Sequence, residues 1–255
     1  MPANYHGANQ LNDRFGQLRM GRERSIETVD EARELLRRRG WLTHLPEDLR
    51  EQVLARCRLL PPYERGQQLL RFGDPASGIY GIVSGSFSIR LSPSEHGQQV
   101  AHLYTAGAWV GELAYCLDRP RVTSLTATRQ SRTVFLRRTD LVALTAREPT
   151  LWRWLALCLA QNTQIALCAI DDMTLRPPRH RLIATLLRLA GLRPEPNGEG
   201  ATELDLTQAE LASVTNMSRT AVGEQLRRLE HEGLLLCRYG RITLADPAAL
   251  HRLLG

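Results

Sequence analysis

The longest helical pattern in the chain is stopped at a fixed point by Pro177-Pro178. Neither proline has a backbone N–H to carry a helix onward, and each ring crowds the preceding turn. The 255 residues must therefore change direction there, and they read as two units joined by one long helix. The two sides differ in texture. Residues 59–136 have short apolar runs broken by glycines, among them Gly66, Gly73, Gly78, Gly85, Gly107 and Gly111. Ile79-Tyr80-Gly81-Ile82-Val83 and Ser86-Phe87-Ser88-Ile89-Arg90-Leu91 read as strands around a turn at Ser84-Gly85. Short strands with turn signals every 8–12 residues or so predict a β-sandwich or barrel.

Residues 139–174 are patterned as helix. Leu155, Leu159, Thr163, Ala166, Ile170 and Met173 form one stripe, and Trp154, Cys158, Ile165 and Ala169 form a second beside it. A helix apolar on two adjacent faces has two things to cover. One is the β unit; the other is expected to be a second copy of the chain, which makes the first stripe a dimer interface. Burial within a single subunit is the alternative. The predicted organisation is then a flexible tail and short helix over 1–40, a β unit over 41–145, a dimerisation helix over 146–176, and a compact unit over 177–255. In the first segment Ser25 is expected to cap a helix carrying Ile26, Val29, Ala32, Leu35 and Leu36, ended by Gly40.

The most informative stretch lies in the last unit. Thr207 with Glu210 three residues on is a capping box. The helix it opens carries Leu211, small Ala212 and Val214. Asn216 tolerates the left-handed turn that follows, and Ser218 caps a second helix with Val222, Leu226 and Leu229 inside. Two helices joined so tightly form a helix-turn-helix. Leu234–Cys237 and Arg241–Leu244 flank Tyr239-Gly240 as a hairpin, completing a winged helix, and Asp246-Pro247 opens a last short helix. The candidate DNA contacts are Thr207 and Gln208 at the start of the first helix; Ser218, Arg219, Thr220, Gly223, Glu224 and Arg227 on the second; and Arg238 and Arg241 on the wing. Arg219 in a first turn is placed for a guanine edge, whereas Glu224 can only accept, as from cytosine.

Charge supports an acidic partner without requiring one. All 33 strong cations are arginines, against 27 acids, for a net +6. The stretch 206–255 carries six arginines and five acids. Binding to DNA must then depend on where the arginines sit and on having two copies. Five cysteines lack any C-x-x-C spacing, which argues against a zinc or redox site. His96 and His102 are too isolated for a metal cluster and read as surface or partly buried residues. No nucleophile–base pair or Walker loop is present, so no enzyme is expected. With no run of about 18 apolar residues and no apolar core in residues 1–24, a cytosolic protein without a membrane partner is expected.

Trp109-Val110-Gly111-Glu112-Leu113-Ala114, followed by Arg119-Pro120-Arg121-Val122-Thr123-Ser124-Leu125-Thr126-Ala127, stands downstream of Gly73-Asp74-Pro75-Ala76 and Val83-Ser84-Gly85. Together with the winged helix, these motifs resemble the cyclic-AMP receptor protein / fumarate-nitrate regulator (CRP/FNR) family over residues 41–245. The resemblance implies an α+β chain: an N-terminal β-roll (a cyclic-nucleotide-binding-like jelly roll), a long dimerisation helix and a C-terminal winged helix on DNA. It implies a sequence-specific transcription regulator whose partners are double-stranded DNA, a second copy and RNA polymerase. A ligand-binding module acting on a protein partner, with a vestigial winged helix, is the alternative.

By the same resemblance Gly111, Glu112, Leu113, Arg121 and Val122 form an effector site, in which the glutamate takes a ribose hydroxyl and the arginine a phosphate. Val122 stands where the family's cyclic-nucleotide binders have a serine, and Ala166 and Leu167 stand where they have Thr and Ser. Three absent polar contacts, each on the order of 1 kcal/mol, make cyclic AMP a doubtful switch; no cofactor is certain, and another small effector is allowed. With no phosphate between them, Glu112 and Arg121 are expected to pair and close the site. Other sensor chemistries fit poorly: no cysteine precedes Cys57 for an iron–sulfur cluster, and Cys116 has no nearby histidine for haem.

Overall fold

In a computed structural model, which describes residues 26–90, 100–193 and 203–254, the chain forms the α+β arrangement that the resemblance implies. Helix α1 (Val29–Arg37) opens it. Its cap is Thr28, whose hydroxyl accepts from the Glu31 N–H at 3.2 Å while the Glu31 carboxylate accepts from the Thr28 N–H at 3.0 Å. Ser25, the expected cap, lies with the tail outside the described residues. A 3₁₀ turn (Trp41–His44) and α2 (Glu47–Arg56) follow.

Among the described residues, eight strands then build two antiparallel sheets. The first contains β1 (Arg58–Leu59), β8 (Arg132–Arg137), β3 (Gly78–Ser84) and β6 (Trp109–Val110), in that order. The second contains β2 (Gln68–Leu70), β7 (Ser124–Ala127), β4 (Ser86–Arg90) and β5 (His102–Thr105). Their facing surfaces bury Phe87, Ile82, Leu125, Leu70 and Tyr104. The outer face of the first sheet is covered by helices, with Leu36, Trp41, Val53 and Leu141 packed on Ile79, Val134 and Leu136. Short helix α3 (Glu112–Leu117) is inserted between β6 and β7.

The helical pattern of residues 139–174 is not one helix. Helix α4 (Arg138–Arg147) ends where Glu148 turns out of helical geometry ahead of Pro149, and α5 (Leu151–Thr174) starts anew. The residue before a proline is pushed toward extended backbone, a signal the apolar periodicity concealed. Leu151, Leu155 and Cys158 on α5 are buried in the β unit's own core.

The second unit holds α6 (Pro178–Leu189), β9 (Glu203–Leu204), α7 (Gln208–Thr215), α8 (Arg219–His231), the hairpin β10 (Leu235–Arg238) and β11 (Arg241–Leu244), and α9 (Pro247–Arg252). Its sheet runs β10-β11-β9. The capping box of α7 is formed, Asn216 is left-handed at φ 52°, and the Ser218 hydroxyl accepts from the Ala221 N–H at 3.1 Å. Leu182, Leu186, Leu211, Val222, Leu226 and Ile242 make the core, and Leu103 of strand β5 is packed into it.

The two units meet on buried charge. Asp172, near the end of α5, and Arg188, on α6, are fully enclosed, with Arg188 Nε donating to Asp172 Oδ2 at 2.7 Å. Arg193 also pairs with Asp172 and with Asp171. Arg188 Nη1 lies 2.7 Å from His102 Nδ1 on β5. A guanidinium only donates, so this nitrogen must accept and the imidazole is neutral. His102 is thus neither a surface nor a half-exposed residue; it is buried at the junction.

Burial, and then the Arg188 charge, press the His102 pKa down to about 3. Below its ordinary value of about 6.5 the unfolded chain takes up a proton that the folded chain refuses until about pH 3, so stability falls as pH drops through that window. At about 1.4 kcal/mol per pH unit, this group should cost about 2 kcal/mol at pH 5 relative to pH 7. Urea unfolding of wild type and His102→Asn at both pH values checks this: the variant should lose less on acidification, by about that amount.

Candidate functional site

Strand β6 delivers the chain into a turn that only glycine makes easily. Gly111 has φ +95°, and a Cβ there would lie 2.9 Å from Arg121 Nη1 and 3.1 Å from the Gly78 carbonyl oxygen. This close approach brings the Gly-Glu-Leu motif beside Arg121. Glu112, the first residue of α3, is buried, and its Oε1 accepts from Asn162 Nδ2 at 2.8 Å. The same amide donates to the Trp109 carbonyl at 2.9 Å. Arg121 is also buried; its Nη2 donates to the Gly78 carbonyl at 3.0 Å, and its guanidinium stands 5.6 Å from the centre of the Tyr80 ring.

Glu112 and Arg121 do not pair: no ion pair within 4.0 Å involves either among the described residues. This corrects the expectation of a closed site. Each is engaged elsewhere, the carboxylate by α5 and the guanidinium by β3. Beside them lies a cavity of about 200 Å³, lined by all five predicted effector residues, Gly111, Glu112, Leu113, Arg121 and Val122. Leu70, Ile89, Val110 and Leu125 form its apolar side, and Leu159, Asn162, Thr163 and Ala166 of α5 form a wall. Leu167 does not reach it and is exposed.

Burial is the largest influence on both charged groups. It pushes the Glu112 carboxyl above its ordinary value, opposed by the Asn162 N–H, and pulls the Arg121 guanidinium below its own, opposed by Tyr80. Arg121 Nη1 is buried without a hydrogen-bond partner. An unpartnered guanidinium nitrogen and a buried acceptor carboxylate, set around an apolar cavity, suit a small molecule with an anionic group and a donor. Asn162 and Thr123 also belong to this lining and were not singled out from sequence; Asn162 was detectable as a polar residue on a face of α5 otherwise turned to the core.

Along α5 the outward row differs from the expected stripe. Leu155 is buried in its own sensor and has no surface for a partner, while Leu159 faces the cavity. Ala156, Ala160, Thr163, Leu167, Ile170 and Thr174 are exposed instead, at alternating steps of four and three, with Leu167 and Ile170 at 61% and 64% exposure. That is the spacing of a coiled-coil seam. Of the predicted interface, Thr163 and Ile170 belong to this row, and Ala166 and Met173 are exposed beside it.

On the winged unit Thr207, Gln208, Ser218, Arg219, Thr220, Glu224, Arg227 and Arg238 are exposed, and Gly223 and Arg241 are half-buried. Arg219, Arg227 and Arg238 join no ion pair among the described residues. Glu224 is held by Arg228 one turn on, at 2.6 Å. Arg241 is turned from the wing tip onto Glu203 of β9, at 2.6 Å, so Arg238 is the wing's uncommitted cation. Among the described residues no group of three or more His, Cys, Asp or Glu could hold a metal, and no helix is long and apolar enough to cross a membrane.

Comparison with known proteins agrees with both halves. The profile of the cyclic nucleotide-binding domain matches residues 61–148, and that of the Crp-like helix-turn-helix domain matches residues 180–253. The chain is 26% identical over 204 residues to the CRP-like cAMP-activated global transcriptional regulator of Mycobacterium tuberculosis, covering 78% of this chain and 91% of that one. It is 27% identical over 195 residues to the cyclic AMP receptor protein of Thermus thermophilus, covering 75% and 86%. Among solved structures it is similar in fold to FixK2 from Bradyrhizobium japonicum (TM-score 0.64, 17% identity, 77% of this chain and 96% of that one). It is similar also to the c-di-GMP responsive global regulator CLP of Xanthomonas campestris (TM-score 0.58, 22% identity, 78% and 99%).

Proposed function

The chain belongs to the CRP/FNR family of DNA-binding transcription regulators, with a cyclic-nucleotide-binding type of sensor domain, and we propose that it works as a homodimer whose two winged units enter successive major grooves of one operator. The observation that carries this reading is the first turn of α8, where Arg219 is exposed and unpaired beside the Ser218 cap. A helix N-terminus with a free guanidinium suits a guanine edge, and Thr207 and Gln208 at the start of α7 suit the flanking phosphates. Half-sites about 10–10.5 bp apart, or a multiple, follow from the two-fold axis. Complete caps, turn and core in the winged unit disfavour a vestigial role. Acting on promoters, the protein is read as a cytoplasmic, non-catalytic regulator that works on RNA polymerase. Arg219→Ala should weaken binding to the specific site by about 1–3 kcal/mol, mostly at one base position, and leave random DNA nearly unaffected; gel-shift titrations at fixed salt on both DNAs check this, and an equal loss on all sequences would make Arg219 a phosphate contact.

The exposed seam on α5 supports the dimer. Glutamate at Leu167 or Ile170 would set like charges against each other across the two-fold axis. Leu167→Glu and Ile170→Glu should each sediment as monomers in analytical ultracentrifugation and lose specific DNA binding, whereas Leu155→Met, inside the protomer, should stay dimeric.

The sensor cavity supports a small anionic effector whose charge rests on Arg121 and whose donor meets Glu112. Val122 and Ala166 bring no hydroxyl to it, which argues against cyclic AMP as the switch. The fold is not bound to that ligand, since CLP, of similar fold, is described as responsive to c-di-GMP. In calorimetry and DNA titration, cyclic AMP should raise operator affinity by less than about threefold; micromolar binding with a tenfold gain, about 1.4 kcal/mol of coupling, would overturn this reading.

A further inference from the structure

The winged unit is tied to the sensor of its own chain at two places. At the surface, Arg129 in the turn between β7 and β8 pairs with Asp205, donates through Nη2 to the Asp205 carbonyl at 2.6 Å, and reaches Glu210, the capping-box carboxylate of α7, at 3.5 Å. The other tie is the buried guanidinium of Arg188. Its Nε is directed at Asp172 on the long helix and its Nη1 at His102 on β5, both at 2.7 Å, with the Ala101 carbonyl at 3.5 Å from Nη1. Its Nη2 is buried and unpartnered.

A buried ion pair is a poor route to stability, because desolvation offsets much of the attraction. What a planar fork supplies is direction. Apolar contacts such as Leu103 against the core of the winged unit tolerate sliding; two bonds from one rigid guanidinium to two different elements do not. The sensor strand, the long helix and the first helix of the winged unit all meet on this one side chain.

We propose that Arg188 is a positioning residue for DNA recognition: by bonding His102 of the sensor and Asp172 of the long helix together, it fixes the angle at which each winged unit is presented, and so the separation of the two recognition helices in the dimer. The inference rests on the dimeric DNA-binding reading above.

The test uses the intact protein and a site that wild type selects from a random duplex library. Each variant is titrated against that site, against the site with one base pair added or removed at its centre, and against an isolated half-site. One base pair changes the separation by about 3.4 Å and a tenth of a turn. Wild type should prefer the native spacing by about tenfold or more. His102→Leu removes the Nη1 acceptor and should cut the preference below about threefold, with half-site affinity within about twofold of wild type. His102→Asn puts an amide oxygen where Nδ1 accepts and should restore the preference. If melting curves show that His102→Leu does not fold, Arg188→Lys, which keeps the charge at Asp172 and loses the fork, should give the same loss. Wild-type spacing preference in the Leu or Lys variant, or failure of Asn to restore it, overturns the proposal. A wild-type protein indifferent to spacing would instead sink the dimeric reading on which it rests.

Discussion

A single helix, α5, has to satisfy three different surroundings along its length, and the rest of the structure is arranged around that demand. Its first turns are apolar and buried against the sensor's helical layer through Leu151, Leu155 and Cys158. Its middle forms a wall of the cavity beside Glu112 and Arg121 through Leu159, Asn162 and Ala166. Its end carries Asp172, a carboxylate with no exposure that is stable there only because Arg188 and Arg193 neutralise it and Thr185 adds a weak bond. The outward row is left free by all three. The prolines at 177 and 178 then end the helix within a few residues of Asp172, so the charge that closes the long helix also anchors the unit that follows.

Much of this was legible because it is local. The capping box of Thr207 and Glu210, the left-handed Asn216, the Ser218 cap and the Tyr239-Gly240 turn are each set by residues within four positions of one another, and each formed as read. Where reading failed, the deciding partner was elsewhere. Two apolar rows on α5 look equivalent until one knows which faces the β unit; Leu155, expected on the outer stripe, is buried in that unit's core, and Leu167 and Ile170 are exposed. The helical patterning of residues 139–174 also concealed Pro149, which divides it into two helices. The pairing expected of Glu112 and Arg121 rested on opposite charge alone; Asn162, 50 residues further on, and the Gly78 carbonyl, 43 residues back, took those groups instead. His102 and Arg188 are 86 residues apart, and nothing near either position marks them as a pair.

The placement of Asn162 and Asp172 on one helix bears on how a ligand could be felt at the DNA-binding unit. Ten residues of α-helix span about 15 Å, and α5 is continuous between them. Asn162 is bonded to Glu112 beside the cavity, whereas Asp172 is bonded to Arg188 of the winged unit. A ligand that draws Glu112 toward itself changes the lateral pull on the helix at Asn162. Because the far end is bonded rather than greasy, a tilt of α5 cannot be absorbed by sliding; it must either carry α6 with it or break the Arg188–His102 contact. A ligand favours either outcome only to the extent that it binds one arrangement better than the other. What joins the two ends is therefore a polar contact at each, Asn162 to Glu112 and Asp172 to Arg188, with ten helical residues between them.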